Sequence, residues 1–335
     1  MRRFFAGILV LALVLWETGC GHNPEFKPEP TAYSFSDEEK LSFVWGEDAS
    51  YYLSAEGLCR YDYDAKNGTA SVTLLVKEAK LSQLQAMDGM LYYVQTGDTE
   101  EDFSLCRVAE DGGTPETVFT RQTICGAQGI QLQEWQLHNG LFYVQVDTAL
   151  YVYDPAVGQG QLLKDDVATF ALEGNTLYHI DHGSRTFTIY RTDLTTGQQE
   201  ILLGDGTYEG KGSDETVYKQ FCLLNGVLYY TTKSPSGLYR YENGQSTLIS
   251  SSDTIDEFSL CTDNGSIYYV ERDDTQATLM EYCPATGSVE TVTTVSDYHR
   301  TETVKDACFY YSSYDADTGK QTLHKQVLAT IVTEE

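Results

Sequence analysis

The chain has 335 residues, with 22 Lys and Arg against 50 Asp and Glu, and a formal net charge of −28. At 41% hydrophobic and 12% aromatic it carries enough apolar material for a large core, which excludes wholesale disorder. The charge excludes nucleic acid, whose phosphates need a basic footprint, and argues against electrostatic docking on anionic lipid.

In chain order, Met1-Arg2-Arg3 is a short basic start and Phe4–Trp16 an apolar run. That run is short for a bilayer span and fits the core of an export signal. It ends in Glu17-Thr18-Gly19-Cys20. A small residue directly before a Cys resembles the lipobox of bacterial lipoproteins, although Glu17 stands where a lipobox usually carries Leu. The resemblance implies a signal over residues 1–20 and lipidation of Cys20; a plain secretory signal with an incidental Cys is the alternative. Residues 21–30, rich in Pro, Gly and charge, read as a flexible tether. Two acyl chains make a stable anchor. The expected location is the outer face of the cytoplasmic membrane, or facing a periplasm, with the lipid as the only membrane contact.

From residue 31 to 335 one pattern recurs. Seven segments carry a turn followed by an apolar residue and Tyr, at Tyr52, Tyr92, Tyr143, Tyr178, Tyr229, Tyr268 and Tyr310. Eight residues upstream of these Tyr the chain is apolar or aromatic six times, with Glu302 the exception. A second element follows each Tyr, starting at Leu58, Leu105, Leu150, Ile189, Leu238, Leu279 and Leu323, then a turn and an apolar strand. Four short strands per unit of about 43 residues, seven times over, predict an all-β, seven-bladed β-propeller of four-stranded antiparallel blades. A pair of β-sandwiches would not require a Tyr in register in every unit. The last unit lacks a fourth strand. Residues 31–36 (TAYSFS) are a spare alternating strand able to close the ring, and residues 329–335 compete for that place.

Beyond Cys20, the cysteines at 59, 106, 125, 222, 261, 283 and 308 show no metal-ligand spacing and read as small buried hydrophobes. His179 and His182 flank Ile-Asp, but His179 aligns with Tyr or Val in other repeats and reads as a satisfied core residue. Asp62 to Gly68 departs from calcium-loop spacing. A basic residue recurs at Arg60, Arg107, Arg191, Arg240 and Lys325, which points to an inter-blade ion pair or a packing role. No GxSxG, HExxH, P-loop or dinucleotide fingerprint occurs, so neither an enzyme nor a cofactor is expected.

Turns after the second and fourth strands of each unit share one face and vary in length. Insertions fall at residues 120–130 and 204–216, the latter with Tyr208 and Lys211, and the same face should hold Tyr298, His299 and Arg300. Variable loops over a rigid scaffold are where binding usually resides, so these five residues are the candidate binding site. The NGxΦYY and DxxTG turns resemble those of bacterial exported propellers related to TolB and to the lipoprotein-receptor-like class. The resemblance implies the fold and carries no site residue. The expected role is an anchored, monomeric binding or scaffold module for a protein or glycan; the alternative is a propeller enzyme acting on a surface polysaccharide.

Overall fold

A computed structural model describes residues 32–35, 43–45, 49–54, 56–64, 67, 69–99, 102–126, 129, 131–181, 188–204, 217–233, 235–256, 259–273, 276–305, 308–315 and 320–328. Within them lie seven four-stranded antiparallel sheets, the blades of a β-propeller. Blade 1 holds β2 (Phe43–Trp45), β3 (Ser50–Ser54), β4 (Gly57–Asp64) and β5 (Thr69–Val76). Blade 2 holds β6 (Leu81–Met87), β7 (Met90–Thr96), β8 (Phe103–Ala109) and β9 (Glu116–Thr120). A single helical turn, α1 (Arg121–Ile124), leads to blade 3: β10 (Leu132–His138), β11 (Leu141–Val146), β12 (Ala149–Asp154) and β13 (Gln159–Lys164).

Blade 4 contains β14 (Val167–Glu173), β15 (Thr176–Asp181), β16 (Ile189–Asp193) and β17 (Gln199–Leu203). Blade 5 contains β18 (Tyr218–Leu224), β19 (Val227–Lys233), β20 (Ser236–Glu242) and β21 (Gln245–Ser250). In blade 6 are β22 (Cys261–Asp263), β23 (Ser266–Arg272), β24 (Gln276–Cys283) and β25 (Ser288–Ser296). Blade 7 joins β26 (Arg300–Lys305), β27 (Cys308–Asp315) and β28 (Lys320–Val327) to β1 (Ala32–Phe35).

The N-terminal strand therefore closes the ring. β1 runs antiparallel to β28 with Ala32 opposite His324 and Phe35 opposite Gln321. Between the two candidate closing segments, the one upstream of blade 1 fills the place; residues 329–335 lie outside the described residues, as do residues 1–31 with Cys20 and the tether.

The Asn-Gly and Asp-Gly signals do what their chemistry dictates. At Asp88-Gly89, Asn139-Gly140, Asn225-Gly226 and Asn264-Gly265 both central residues have positive φ, 47–53° and then 71–81°. That geometry matches the twist of a hairpin and favours Asn or Asp followed by Gly.

The recurring Tyr sits on the second strand of every blade, opposite the recurring basic position of the third strand. Tyr92 faces Arg107, Tyr178 faces Arg191, Tyr229 faces Arg240 and Tyr310 faces Lys325. In blade 1 the member of this set is Tyr51, opposite Arg60, and not Tyr52. The sequence register is thus corrected by one residue there, because Tyr-Tyr fits the pattern in either frame. Tyr51 is fully buried and its hydroxyl bonds to Glu110 of blade 2.

The four arginines pair within their own blades, which corrects the expected inter-blade ion pair, and Lys325 stands 6.0 Å from the Tyr310 ring centre in its own blade. Arg60 reaches Asp62 at 2.8 Å, Arg107 reaches Glu116 at 2.9 Å, Arg240 reaches Glu242 at 2.8 Å, and Arg191 pairs with Glu200. Neighbouring blades are held instead by aromatic packing and by glutamines. One large cluster spans blades 2 and 3 around Tyr92, Phe119, Trp135 and Phe142. On the first strands, Gln85 donates to Trp135 O (3.3 Å) and Gln136 to Phe170 O (3.2 Å), each on the next blade. Gln220 grips Leu260 twice, accepting from its N–H (2.9 Å) and donating to its C=O (3.3 Å).

Candidate functional site on the loop-rich face

Connections after second and fourth strands converge on one face, where the chain backbone ties them together. Thr96 N–H bonds to Lys80 O, Lys233 N–H to Val217 O, Arg272 N–H to Thr254 O, and His299 N–H to Ser312 O. Each bond joins the end of a second strand to the segment that enters or leaves a blade on that side. The scaffold under this face is consequently rigid.

The described part of the 120–130 insertion, residues 120–126, packs against the blades. Thr120 caps α1 through a reciprocal bond with Thr123. Ile124, 3% exposed, packs into the core cluster of blades 2 and 3. Gly160 of β13 makes room for it: a Cβ there would lie 2.5 Å from the Ile124 carbonyl oxygen. This insertion plugs the outer side of blade 3, which sequence alone does not reveal, since TRQTI carries only one large apolar residue. The second insertion, with Tyr208 and Lys211, lies outside the described residues.

Tyr298, His299 and Arg300 are brought together between blades 6 and 7, with different roles. Tyr298, expected on an open binding surface, is instead 7% exposed and belongs to the packing between Val295, Tyr311 and Leu328. Its hydroxyl is 2.9 Å from Asp256 Oδ2 and 2.9 Å from Thr301 Oγ1. Burial, reinforced by the Asp256 carboxylate, holds the phenol well above its ordinary range, so it acts as a neutral donor to Asp256. Above it, the Arg272 guanidinium stands 5.7 Å from the ring centre and donates weakly to His299 O at 3.5 Å. His299 and Arg272 are exposed, and Arg300 is half-buried. The His299 ring lies 5.7 Å from that of Tyr314, which is 48% exposed.

The sequence places residues 271–275, and with them Arg272, on this face without singling Arg272 out, and it does not point to Tyr314; neither shares a segment with Tyr298. Their strand positions carry the signal: both close second strands (β23 and β27) on the loop-rich side. The arrangement can stack against a planar or sugar ring on Tyr314 and hydrogen-bond through Arg272 and His299.

His179 is buried in the core as expected, but it is not satisfied there. Neither ring nitrogen has a hydrogen-bond partner, and the nearest acidic oxygen, Oδ1 of Asp181, is 3.4 Å away. His182 falls outside the described residues. The seven cysteines after Cys20 are free; Cys59, Cys106 and Cys308 are buried and the other four half-buried. Cys59 and Cys106 lie opposite Tyr52 and Tyr93, small thiols filling the space that a facing aromatic leaves. No metal-binding group of three or more His, Cys, Asp or Glu occurs among the described residues.

No family model and no curated protein matches the chain. Solved structures do. A prolyl endopeptidase is similar over 92% of this chain and 49% of its own, at 13% identity and a TM-score of 0.60. This chain therefore spans about half of that enzyme's length. The β-propeller domain of the Trilobed protease from Pyrococcus furiosus matches over 90% of this chain and 100% of its own, with 9% identity and a TM-score of 0.56. TolB from Acinetobacter baumannii matches over 86% and 79%, at 15% identity and a TM-score of 0.45. At such identities the likeness shows the fold alone. It also corrects the expectation that the chain is not an enzyme. Propellers of this kind occur in peptidases, so missing catalytic motifs do not place the chain outside enzymes.

Proposed function

We propose that the chain is a lipid-anchored, exported module that binds a protein or glycan through its loop-rich face. The reading is supported chiefly by the cluster between blades 6 and 7. A buried Tyr298, fixed by Asp256 and Thr301, supports an exposed Arg272, with His299 and Tyr314 alongside. Groups held by a packed layer beneath them lose little freedom on binding, which is the condition for useful affinity from few contacts. The proposed site includes Arg300 and, from the sequence alone, Tyr208 and Lys211 of the 204–216 insertion. Lipidation at Cys20 would hold this face outside the membrane.

The test is a panel of surface glycans and extracytoplasmic proteins presented to the full chain. Wild-type protein should bind a panel member saturably. R272A combined with H299A should abolish that binding while the melting temperature stays unchanged. Binding that survives both these substitutions and replacement of residues 204–216 sinks the assignment. Cleaved products in the panel would show that the face acts by turnover.

A further inference from the structure

Ser313 Oγ lies 2.7 Å from Nε2 of His324, across the ladder between β27 and β28 of blade 7. The bond is diagonal: His324 stands opposite Tyr311, and Ser313 opposite Thr322. The imidazole lies flat on Tyr311, ring centres 4.8 Å apart. Tyr311 is in turn held by Phe309 at 5.1 Å and Tyr298 at 6.3 Å. The His324 backbone is clamped between β27 and the closing strand β1. Both members of the pair are half-buried, and Ser313 lies two residues from the end of β27 on the loop-rich side. The repeat does not demand such a pair. In blades 4 and 5 the same two places hold Asp181 with Tyr190 and Thr232 with Tyr239, so the bonded alcohol and imidazole are particular to blade 7.

An alcohol hydrogen-bonded to a neutral imidazole is an activated nucleophile, because the ring nitrogen takes the proton as the oxygen attacks. Burial holds His324 below its ordinary range, opposed by the Asp297 carboxylate, so at pH 7 its Nε2 is able to accept. Asp297 is exposed and adjoins Tyr298 in the chain, and its field reaches both His324 and Tyr311. That charge favours the imidazolium that forms as the proton arrives. Among the described residues no carboxylate is hydrogen-bonded to His324. The pair therefore suits an ester, whose alcohol leaves more readily than the amine of an amide.

We propose that Ser313 and His324 form a nucleophile–base dyad that hydrolyses carboxylic esters on the loop-rich side of blade 7. Ser313 Oγ attacks the ester carbonyl carbon, and its proton passes to His324 Nε2. The bond from that carbon to the alcohol oxygen breaks, and the alcohol leaves with the proton from Nε2. Water then attacks the acyl-serine and gives a proton to Nε2; the bond to Oγ breaks and Oγ takes that proton back. Ester and water become acid and alcohol, with no change of oxidation state. Neither Arg272 nor His299 takes part, so the activity does not rest on ligand binding by their cluster.

The experiment is hydrolysis of p-nitrophenyl acetate by the full chain, combined with fluorophosphonate labelling and peptide mapping. Wild-type protein should turn the ester over and carry the label on Ser313. Its rate should be level above pH 6.5 and fall at lower pH, where His324 takes up a proton. S313A and H324Q should each lose at least about 100-fold in rate. D297N should move the acid limb to still lower pH, which loss of a merely structural contact would not do. C283S, altering a thiol on a distant turn, should keep the wild-type rate. Rate retained in S313A, rate lost in C283S, or a wild-type label absent or mapped anywhere but Ser313 overturns the proposal. The labelling uses wild-type protein and stays decisive if a variant fails to fold.

Discussion

His179 lies flat on Tyr190, ring centres 5.1 Å apart and planes 14° from parallel. Tyr230 on Tyr239 (5.3 Å, 9°) and Tyr311 on His324 (4.8 Å, 11°) repeat the same stack at the same positions of blades 5 and 7. The stack is a feature of the repeat, and an imidazole is the odd member on the second strand. Its Nδ1 is buried without a hydrogen-bond partner and its Nε2 meets only Asp181 Oδ1, at 3.4 Å; a buried group left unsatisfied costs about 1–3 kcal/mol. H179F should therefore raise stability by about 1 kcal/mol after some loss to crowding, read as a higher urea midpoint at unchanged slope. A lower midpoint would mean that the imidazole is partnered in solution.

Gln220 replaces the hydrogen-bond ladder that adjacent blades lack. Q220A removes both bonds to Leu260 and should cost roughly 1–3 kcal/mol. Q83A should cost less, since Gln83 only donates, to Leu132 O at 3.3 Å and to an exposed Gln133 O at 3.1 Å. Equal losses in thermal unfolding of the two variants would show that the double grip adds nothing.

High pH should unfold the protein cooperatively. Burial raises Tyr51 and Tyr52 to about 12 from an ordinary 10, and raises Tyr143, Tyr178 and Tyr230 as well. A phenol with a raised folded value contributes stability that is complete below pH 10 and is lost as pH climbs through the folded value. Tyrosinate absorbance and loss of β-sheet circular dichroism should then rise together between pH 10 and 12. Tyrosinate appearing at pH 10 with the fold intact would refute this.

Thiol reactivity should divide the cysteines. Hydrogen bonds from Thr286 lower the Cys283 thiol, while burial raises Cys106, Cys125, Cys222 and Cys261. Among the described cysteines, Cys283 should be alkylated first at neutral pH, because the thiolate is the reacting form. Peptide mapping after brief labelling checks the order; modification of Cys106 ahead of Cys283 would contradict it.

Deleting residues 32–35 should lower the melting temperature sharply, because β28 would be left as an unpaired edge. A peptide of residues 31–36 added back should recover part of the loss. An unchanged melting temperature would show that another segment seals blade 7.

The period of the fold was legible because each blade repeats its turn chemistry and its Tyr, and the Asn-Gly pairs mark hairpins without help from distant residues. Closure was legible as two alternatives, since an alternating strand at either end satisfies the same missing edge. Other features depend on which neighbour a side chain meets, and no period encodes that. Nothing local distinguishes Gln220, reaching the next blade, from any solvated Gln. Tyr51 and Tyr52 alternate faces, and only the opposite strand decides which is the repeat residue. At the candidate site, Tyr298 sits in a segment rich in polar residues, yet Val295, Tyr311 and Leu328 close over it from three separate elements.

The seam between β1 and β28 has a mechanical consequence. It is four residue pairs long, and its free end at Ala32 is also where the N-terminal lead enters the ring. A load applied to that lead, while a ligand holds the opposite face, reaches this seam before any other blade. Tension would thus be resisted by the shortest ladder in the last blade, which makes the ring's clasp its mechanical fuse.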